Sequence, residues 1–214
     1  MTQIQPYTLH KPAFSFLTIT EPVNGSYREK GSKFLAFAFP VEDEAAIQAE
    51  LAALRKAHYD AHHHCYAWVL GPEGVQYRAN DDGEPAHSAG DPILGQLRSR
   101  QLTNILVVVV RYFGGTKLGV GGLIHAYREA VADALNKASI IRKEVMFSMT
   151  IRYGFGSTPE VMKLIKEFDA TIIAEQYDDT AVLQVNVPLK HREALVEKLE
   201  LLKALKHEID KRVP

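Results

Sequence analysis

Cysteine is almost missing from this sequence: Cys65 is the only one in 214 residues. A lone thiol closes no internal disulfide, so the chain relies on its core and is expected in a reducing compartment, the cytosol. No stretch offers the roughly 20 apolar residues that a bilayer crossing needs, and the run over residues 105–110 suits a strand. Residues 1–12 are polar and lack the apolar centre of a signal peptide. The net charge of −1 gives the whole molecule no strong attraction for polyanions. The most telling absence is local. Residues 92–128 hold no Asp or Glu, yet they include Arg98, Arg100, Arg111, Lys117 and Arg128, which implies a local positive field. Immediately upstream the sign reverses, with Glu73, Asp81, Asp82, Glu84 and Asp91 set against a single arginine, Arg78.

What is present is the material of an ordinary globular protein, 46% apolar and 24% charged, long enough for two modest domains. Residues 27–40 read as a central strand. Asp43 reads as the cap of a helix whose apolar face is Ile47, Leu51 and Leu54. Residues 63–70 and 75–79 read as a hairpin around Gly71-Pro72-Glu73-Gly74. A short helix is expected over 92–100, a buried strand over 103–112, and a long helix from Gly119 to about Lys137 with the stripe Leu123, Tyr127, Ala130 and Ala134. Past Ile140 the pattern restarts. A strand over 144–153 leads to a helix opened by Ser157-Thr158-Pro159-Glu160, then strands over 171–177 and 181–187, a last helix carrying Leu195, Val196, Leu199 and Leu202, and a possible edge strand over 208–213. The fold class is therefore α+β with two domains, 1–143 and 144–214, and the second has the ferredoxin-like order β-α-β-β-α-β.

The segment most suited to chemistry is Arg111-Tyr112-Phe113-Gly114-Gly115-Thr116-Lys117-Leu118-Gly119-Val120-Gly121-Gly122-Leu123. A buried strand, a glycine-dense turn and a helix start expose backbone N–H groups that can hold an anion. Arg111, Tyr112, Gly114, Gly115, Lys117, Gly119, Gly121 and Gly122 are the candidate anion- or nucleic-acid-binding residues; the competing reading is a tight turn with close helix-to-sheet contact. It is no Walker loop, since Val120 and Gly121 stand where Lys and Ser or Thr belong. It is no dinucleotide fingerprint either, because Gly119-Val120-Gly121-Gly122-Leu123-Ile124 ends in Ile. No cofactor and no metal are expected.

Around the loop, Asp81, Asp82 and Glu84 are candidate site-lining acids, able to hold Mg²⁺, to act as acid or base, to orient the basic groups, or only to build an Asp-Gly turn. His63 and His64 complete the candidate lining. Zinc at His62-His63-His64-Cys65 is disfavoured because alternate strand residues face opposite ways. Cys65, among Ala67 and Val69, reads as an inert buried thiol. His64, Tyr66 and Trp68 offer either a base-stacking platform or packing under a helix, and packing is favoured.

The segments Glu29-Lys30-Gly31-Ser32-Lys33-Phe34, Ala61-His62-His63-His64-Cys65-Tyr66-Ala67-Trp68, Asp81-Asp82-Gly83-Glu84-Pro85 with Ala89-Gly90, and Val109-Val110-Arg111-Tyr112-Phe113-Gly114-Gly115 through Leu123 together resemble the IMPACT/YigZ family. The chain departs from the family's common pattern at His62 and at His87-Ser88. The resemblance implies a first domain like the second domains of elongation factor G and of a small-subunit ribosomal protein, a fold shared with ribonuclease PH and small-metabolite kinases. It implies a second domain like the last, ferredoxin-like domain of elongation factor G. It also implies translational regulation, the role of the eukaryotic members. With the basic, acid-free stretch over 92–128, the favoured expectation is a cytoplasmic, non-enzymatic binding module near the translation machinery that holds phosphate or RNA backbone at the glycine loop, with RNA, the ribosome or a protein of that machinery as partner and no membrane. Two alternatives stand beside it: a metal-assisted hydrolase or phosphotransfer enzyme using the acidic loop, and a regulator that docks another protein.

Overall fold

The computed structural model describes residues 13–212, and the expectation for residues 1–12 lies outside them. The chain divides into two compact units, Met1–Lys143 and Glu144–Pro214.

In the first unit, β1 (Ser15–Ile19) pairs with β7 (Ile140–Glu144) as a small separate sheet. The main sheet is built from β2 (Val23–Glu29), β3 (Ser32–Pro40), β4 (His63–Leu70), β5 (Gln76–Asn80) and β6 (Ile105–Tyr112), in the order β2-β3-β6-β4-β5, with every neighbouring pair antiparallel. Helix α1 (Glu44–Ala57) covers one face; α2 (Gly90–Ser99) and α3 (Gly119–Asn136) cover the other. Strand alternation decides which side chains go where. Cys65, Ala67, Val69, Ile105, Val107 and Val109 pack under α2 and α3, whereas Tyr66, Trp68, Leu106, Val108 and Val110 pack under α1. Covered on both sides, β6 is apolar along nearly its whole length, as a central strand must be. Tyr66 and Trp68 are core residues and offer no base a surface.

Three local features depart from the sequence reading. The single strand expected over 27–40 is a hairpin, folded at Lys30 (φ 45°) and Gly31 (φ 78°), two left-handed residues as a tight hairpin turn requires. Strands β1 and β7 were not expected, and every residue of β7 is exposed, so it carries no apolar alternation. Helix α2 starts two residues early, because its free N–H groups are capped from a distance by Asp81.

In the second unit, β8 (Met146–Tyr153), α4 (Thr158–Glu167), β9 (Thr171–Tyr177), β10 (Ala181–Pro188), α5 (Arg192–Ala204) and β11 (Ile209–Arg212) follow one another in the β-α-β-β-α-β order. The strands form one antiparallel sheet, β11-β8-β10-β9. Met149, Ile151 and Tyr153 of β8 with Leu183, Val185 and Val187 of β10 share one core with Val161, Leu164, Leu195 and Leu199 of the two helices. Val196 and Leu202, expected in that core, lie at its edge and are only half-buried.

Candidate functional site

Two loops of the first unit converge at one end of the main sheet: the acidic loop after β5 and the glycine loop between β6 and α3. Their charged groups behave in opposite ways.

The acidic loop is bound inward. Asp81 accepts three backbone N–H bonds, from Ala89 at 2.9 Å and Gly90 at 2.8 Å on Oδ1, and from His87 at 2.9 Å on Oδ2. Burial works against ionisation of Asp81, but these N–H donors outweigh it and hold the carboxyl below the usual range. Asp82 Oδ2 accepts the His64 N–H at 2.7 Å, and Asp82 Oδ1 stands 3.8 Å from Arg55. Glu84 reaches deepest: its side chain is 4% exposed, and Oε1 accepts from Arg111 Nη1 at 2.5 Å and from the Tyr127 hydroxyl at 2.8 Å. Cys65 Sγ completes this cluster, 3.2 Å from Tyr127 Oη and 2.9 Å from the Asp81 carbonyl. Burial pushes both the Cys65 thiol and the Tyr127 phenol well above their ordinary values, so neither is a ready nucleophile or acid.

Arg111 therefore sits elsewhere than expected. In register with His63 of β4, it points to the α3 side of the sheet, its side chain 6% exposed, with the guanidinium 5.3 Å from the centre of the Phe34 ring. Its charge is taken up by Glu84 and is not offered to a ligand. A buried pair of this kind gains little net energy over an apolar pair, but losing one member strands the other charge. The pair does tie the acidic loop to the strand that feeds the glycine loop. Tyr112, the next residue, faces α1 and bonds His58 Nδ1 at 2.9 Å and Asp60 at 3.3 Å through its hydroxyl, so it too is absent from the loop surface. His64 lies on that same α1 side, buried, and desolvation lowers its pKa despite the attraction of Asp82. His63 stays with the Glu84 cluster. Its Nδ1–H donates to the Asp82 carbonyl at 2.8 Å, which leaves Nε2 facing Glu84 Oε1 at 4.0 Å. Among the described residues, no three His, Cys, Asp or Glu side chains gather in a geometry that would hold a metal ion.

The glycine loop is turned outward. Gly114 lies against the β2–β3 turn so closely that a Cβ there would stand 1.9 Å from the Gly31 carbonyl carbon, and its N–H donates to Ser32 Oγ at 3.1 Å. Gly115 (φ 85°) and Gly119 (φ 72°) take left-handed backbone, which aims the chain into α3. Helix α3 then begins on Leu118 without a side-chain cap and with no acid in its first turn, and Gly119, Val120 and Gly121 are exposed. By contrast, Asp43 caps α1 through the Ala46 N–H at 2.8 Å, and Asp81 caps α2. Lys117 is exposed on the loop and Lys30 on the abutting turn; neither forms an ion pair among the described residues. Phe113, 41% exposed, meets the exposed His62 ring edge to face at 6.2 Å.

So the structure gathers Gly114, Gly115, Lys117, Gly119, Gly121 and Gly122 at one surface, with Lys30 and Phe113, which the sequence reading passed over. It withdraws Arg111, Glu84 and His63 into a cluster beneath that surface, together with Tyr127, which the helical stripe places only in the core. Lys30 had a usable signal: it lies in the Glu29–Phe34 segment already singled out, and the close approach to Gly114 needs its neighbour Gly31.

A sheet layered between helices, joined to a β-α-β-β-α-β unit and carrying a glycine-rich helix start, defines a two-domain α+β protein. The family model of the Impact N-terminal domain matches residues 30–135, and that of a domain of unknown function, DUF1949, matches residues 152–200. IMPACT family member YigZ of Escherichia coli (strain K12) is 35% identical over 81% of this chain and 86% of its own. IMPACT family member YvyE of Bacillus subtilis (strain 168) is 31% identical over 86% of this chain and 84% of its own. A crystal structure of a hypothetical protein aligns over 91% of this chain and 96% of its own, with a TM-score of 0.67 at 33% identity. The chain belongs to the IMPACT family.

Proposed function

We propose that this protein is a non-enzymatic binding and regulatory protein of the translation apparatus that holds a phosphate of RNA at the glycine loop. One observation carries the reading: α3, 18 residues long, opens with exposed and uncapped backbone N–H groups, no acid in its first turn, and Lys117 and Lys30 beside it. The helix dipole and these N–H groups favour an anion there. RNA is preferred over a free anion because Phe113 and His62 present exposed rings next to the loop, where a base can stack. The fold kinship belongs to the same proposal: the first unit is taken as akin to the second domain of elongation factor G, the second unit as akin to its last domain, and the location as cytoplasmic.

The hydrolase reading stands second, because Asp81 and Glu84 spend their oxygens on the protein itself. Sedimentation with ribosomes tests the proposal. The wild type is expected to associate in a salt-dependent way, and Lys30→Gln with Lys117→Gln together to lose most of that association. Association that ignores both salt and the double substitution would favour protein docking; no association by the wild type would end the RNA reading.

A further inference from the structure

A groove of about 510 Å³ runs between α2 and α3. Ile124 and Arg128, four residues apart on α3, form one wall, and Gly121, three residues before Ile124, continues that helix face toward the glycine loop. Gly95 and Gln96 of α2 form the other. Two features are not demanded by the fold. Gly95 and Gly121 sit in helices with ordinary backbone, and a Cβ at either would meet nothing. Glycine inside a helix costs stability relative to alanine, so both positions keep bare backbone at a cost where no neighbour requires it.

The charge of α3 is sorted between its sides. Asp133 faces β2, where it accepts the Ser26 N–H at 2.8 Å. Arg128 faces the groove and forms no ion pair among the described residues. At the far end Arg100 crosses from α2 to α3 on neutral partners, Gln96 Oε1 at 2.5 Å and Asn136 Oδ1 at 3.0 Å, so its charge is not offset. Asp91, the acid on the groove wall, is engaged by His87 at 2.7 Å.

We infer that this groove carries the phosphodiester backbone of a single RNA strand away from the glycine loop, with Arg128 and then, further along the strand, Arg100 each taking a phosphate. The inference rests on the RNA reading above. Charge complementarity selects the occupant: Lys117, Arg128 and Arg100 form no ion pair among the described residues, the one acid on the wall, Asp91, is held by His87, and a planar guanidinium grips a phosphate with two N–H bonds. Bare backbone at Gly121 and Gly95 lets the strand lie close. Along α3, Gly121 to Arg128 spans about 10 Å and Arg128 to Asn136 about 12 Å, a path of about six nucleotides at the stacked spacing of about 3.4 Å per phosphate.

Oligouridylates of 2, 4, 6, 8 and 12 nucleotides, titrated by fluorescence polarisation against the full chain, test it. Wild-type affinity is expected to climb with length and level off near six to eight. Arg128→Gln should weaken the 8-mer about tenfold and reduce its salt slope by about 0.7, while barely changing the 2-mer. Gly95→Gln, a better helix former that fills the groove, should do the same without loss of thermal stability. Lys117→Gln should weaken every length, the 2-mer included. Length dependence unchanged by both groove substitutions would overturn the groove and spare the loop. No binding at any length would overturn both, and polyglutamate displacing the 8-mer at equal charge would overturn RNA as the occupant.

Discussion

The acidic loop and the glycine loop lie side by side at one end of the same sheet, and each draws the eye as chemistry. In the acidic loop, Asp81, Asp82 and Glu84 all have protein partners: backbone N–H groups of 87, 89, 90 and 64, and the Arg111 and Tyr127 side chains. In the glycine loop the donors of the α3 start have none from the side chain of Leu118, and Lys117 and Lys30 stand free of ion pairs among the described residues. The difference teaches that charge density marks a binding surface poorly once the chain itself can satisfy the charge. On the function proposed above, the uncapped backbone beside two free lysines is the better marker.

The contrast can be broken most violently through the buried pair. Glu84→Leu strands Arg111 without its carboxylate and should cost about 3–5 kcal/mol in urea unfolding, as should Arg111→Met; the double substitution should cost clearly less than the two combined. Equal and additive small losses would mean that the pair is not what ties the loops together. Next in size is Gly114→Ala, whose Cβ would meet the Gly31 backbone at 1.9 Å; about 1–3 kcal/mol is expected from overpacking, read as a lowered Tm.

Removing the acidic loop's cap, Asp81→Ala, should cost about 2 kcal/mol, the upper end for a helix cap. Because the fold depresses the Asp81 pKa, the unfolded chain takes up the proton first. The contribution is then complete above the unfolded value of about 3.9 and drains away as pH falls through the folded one. Asp81→Asn should therefore flatten the acid limb of a stability-versus-pH profile, and an unchanged limb would count against the cap. Smallest is Gly121→Ala, which should raise stability by about 0.5–1 kcal/mol while weakening oligonucleotide binding. A gain in both would show that the bare backbone has no role in binding.

The strand-loop-helix over 105–136 was legible because an apolar run, a glycine cluster and a helical stripe each point to one element and agree about the junction. The two α+β units were legible for the same reason of repeated local pattern. The β2–β3 hairpin was hidden because its turn uses Lys30, a residue without turn preference, beside the strong apolar run Phe34-Leu35-Ala36-Phe37-Ala38-Phe39. The start of α2 was hidden because its cap, Asp81, is eight residues upstream of Ala89. The fate of Arg111 was half legible. Alternation along β6 puts it on the side of Val107 and Val109, beneath α3, and Tyr112 on the other, but no local rule names Glu84 as its partner across 27 residues. Lys117 and the glycines were legible as a surface because a lysine and a run of bare backbone bring no apolar side chain to a core.

The most direct test of the account is an amide NMR titration of the full chain with inorganic phosphate and then with a uridylate 4-mer. The account predicts that the largest shifts fall on the N–H groups of Gly115, Gly119, Gly121 and Gly122, with those of 87, 89 and 90 nearly still because Asp81 already holds them. Shifts centred on residues 81–90, or none on the glycine loop, would contradict it.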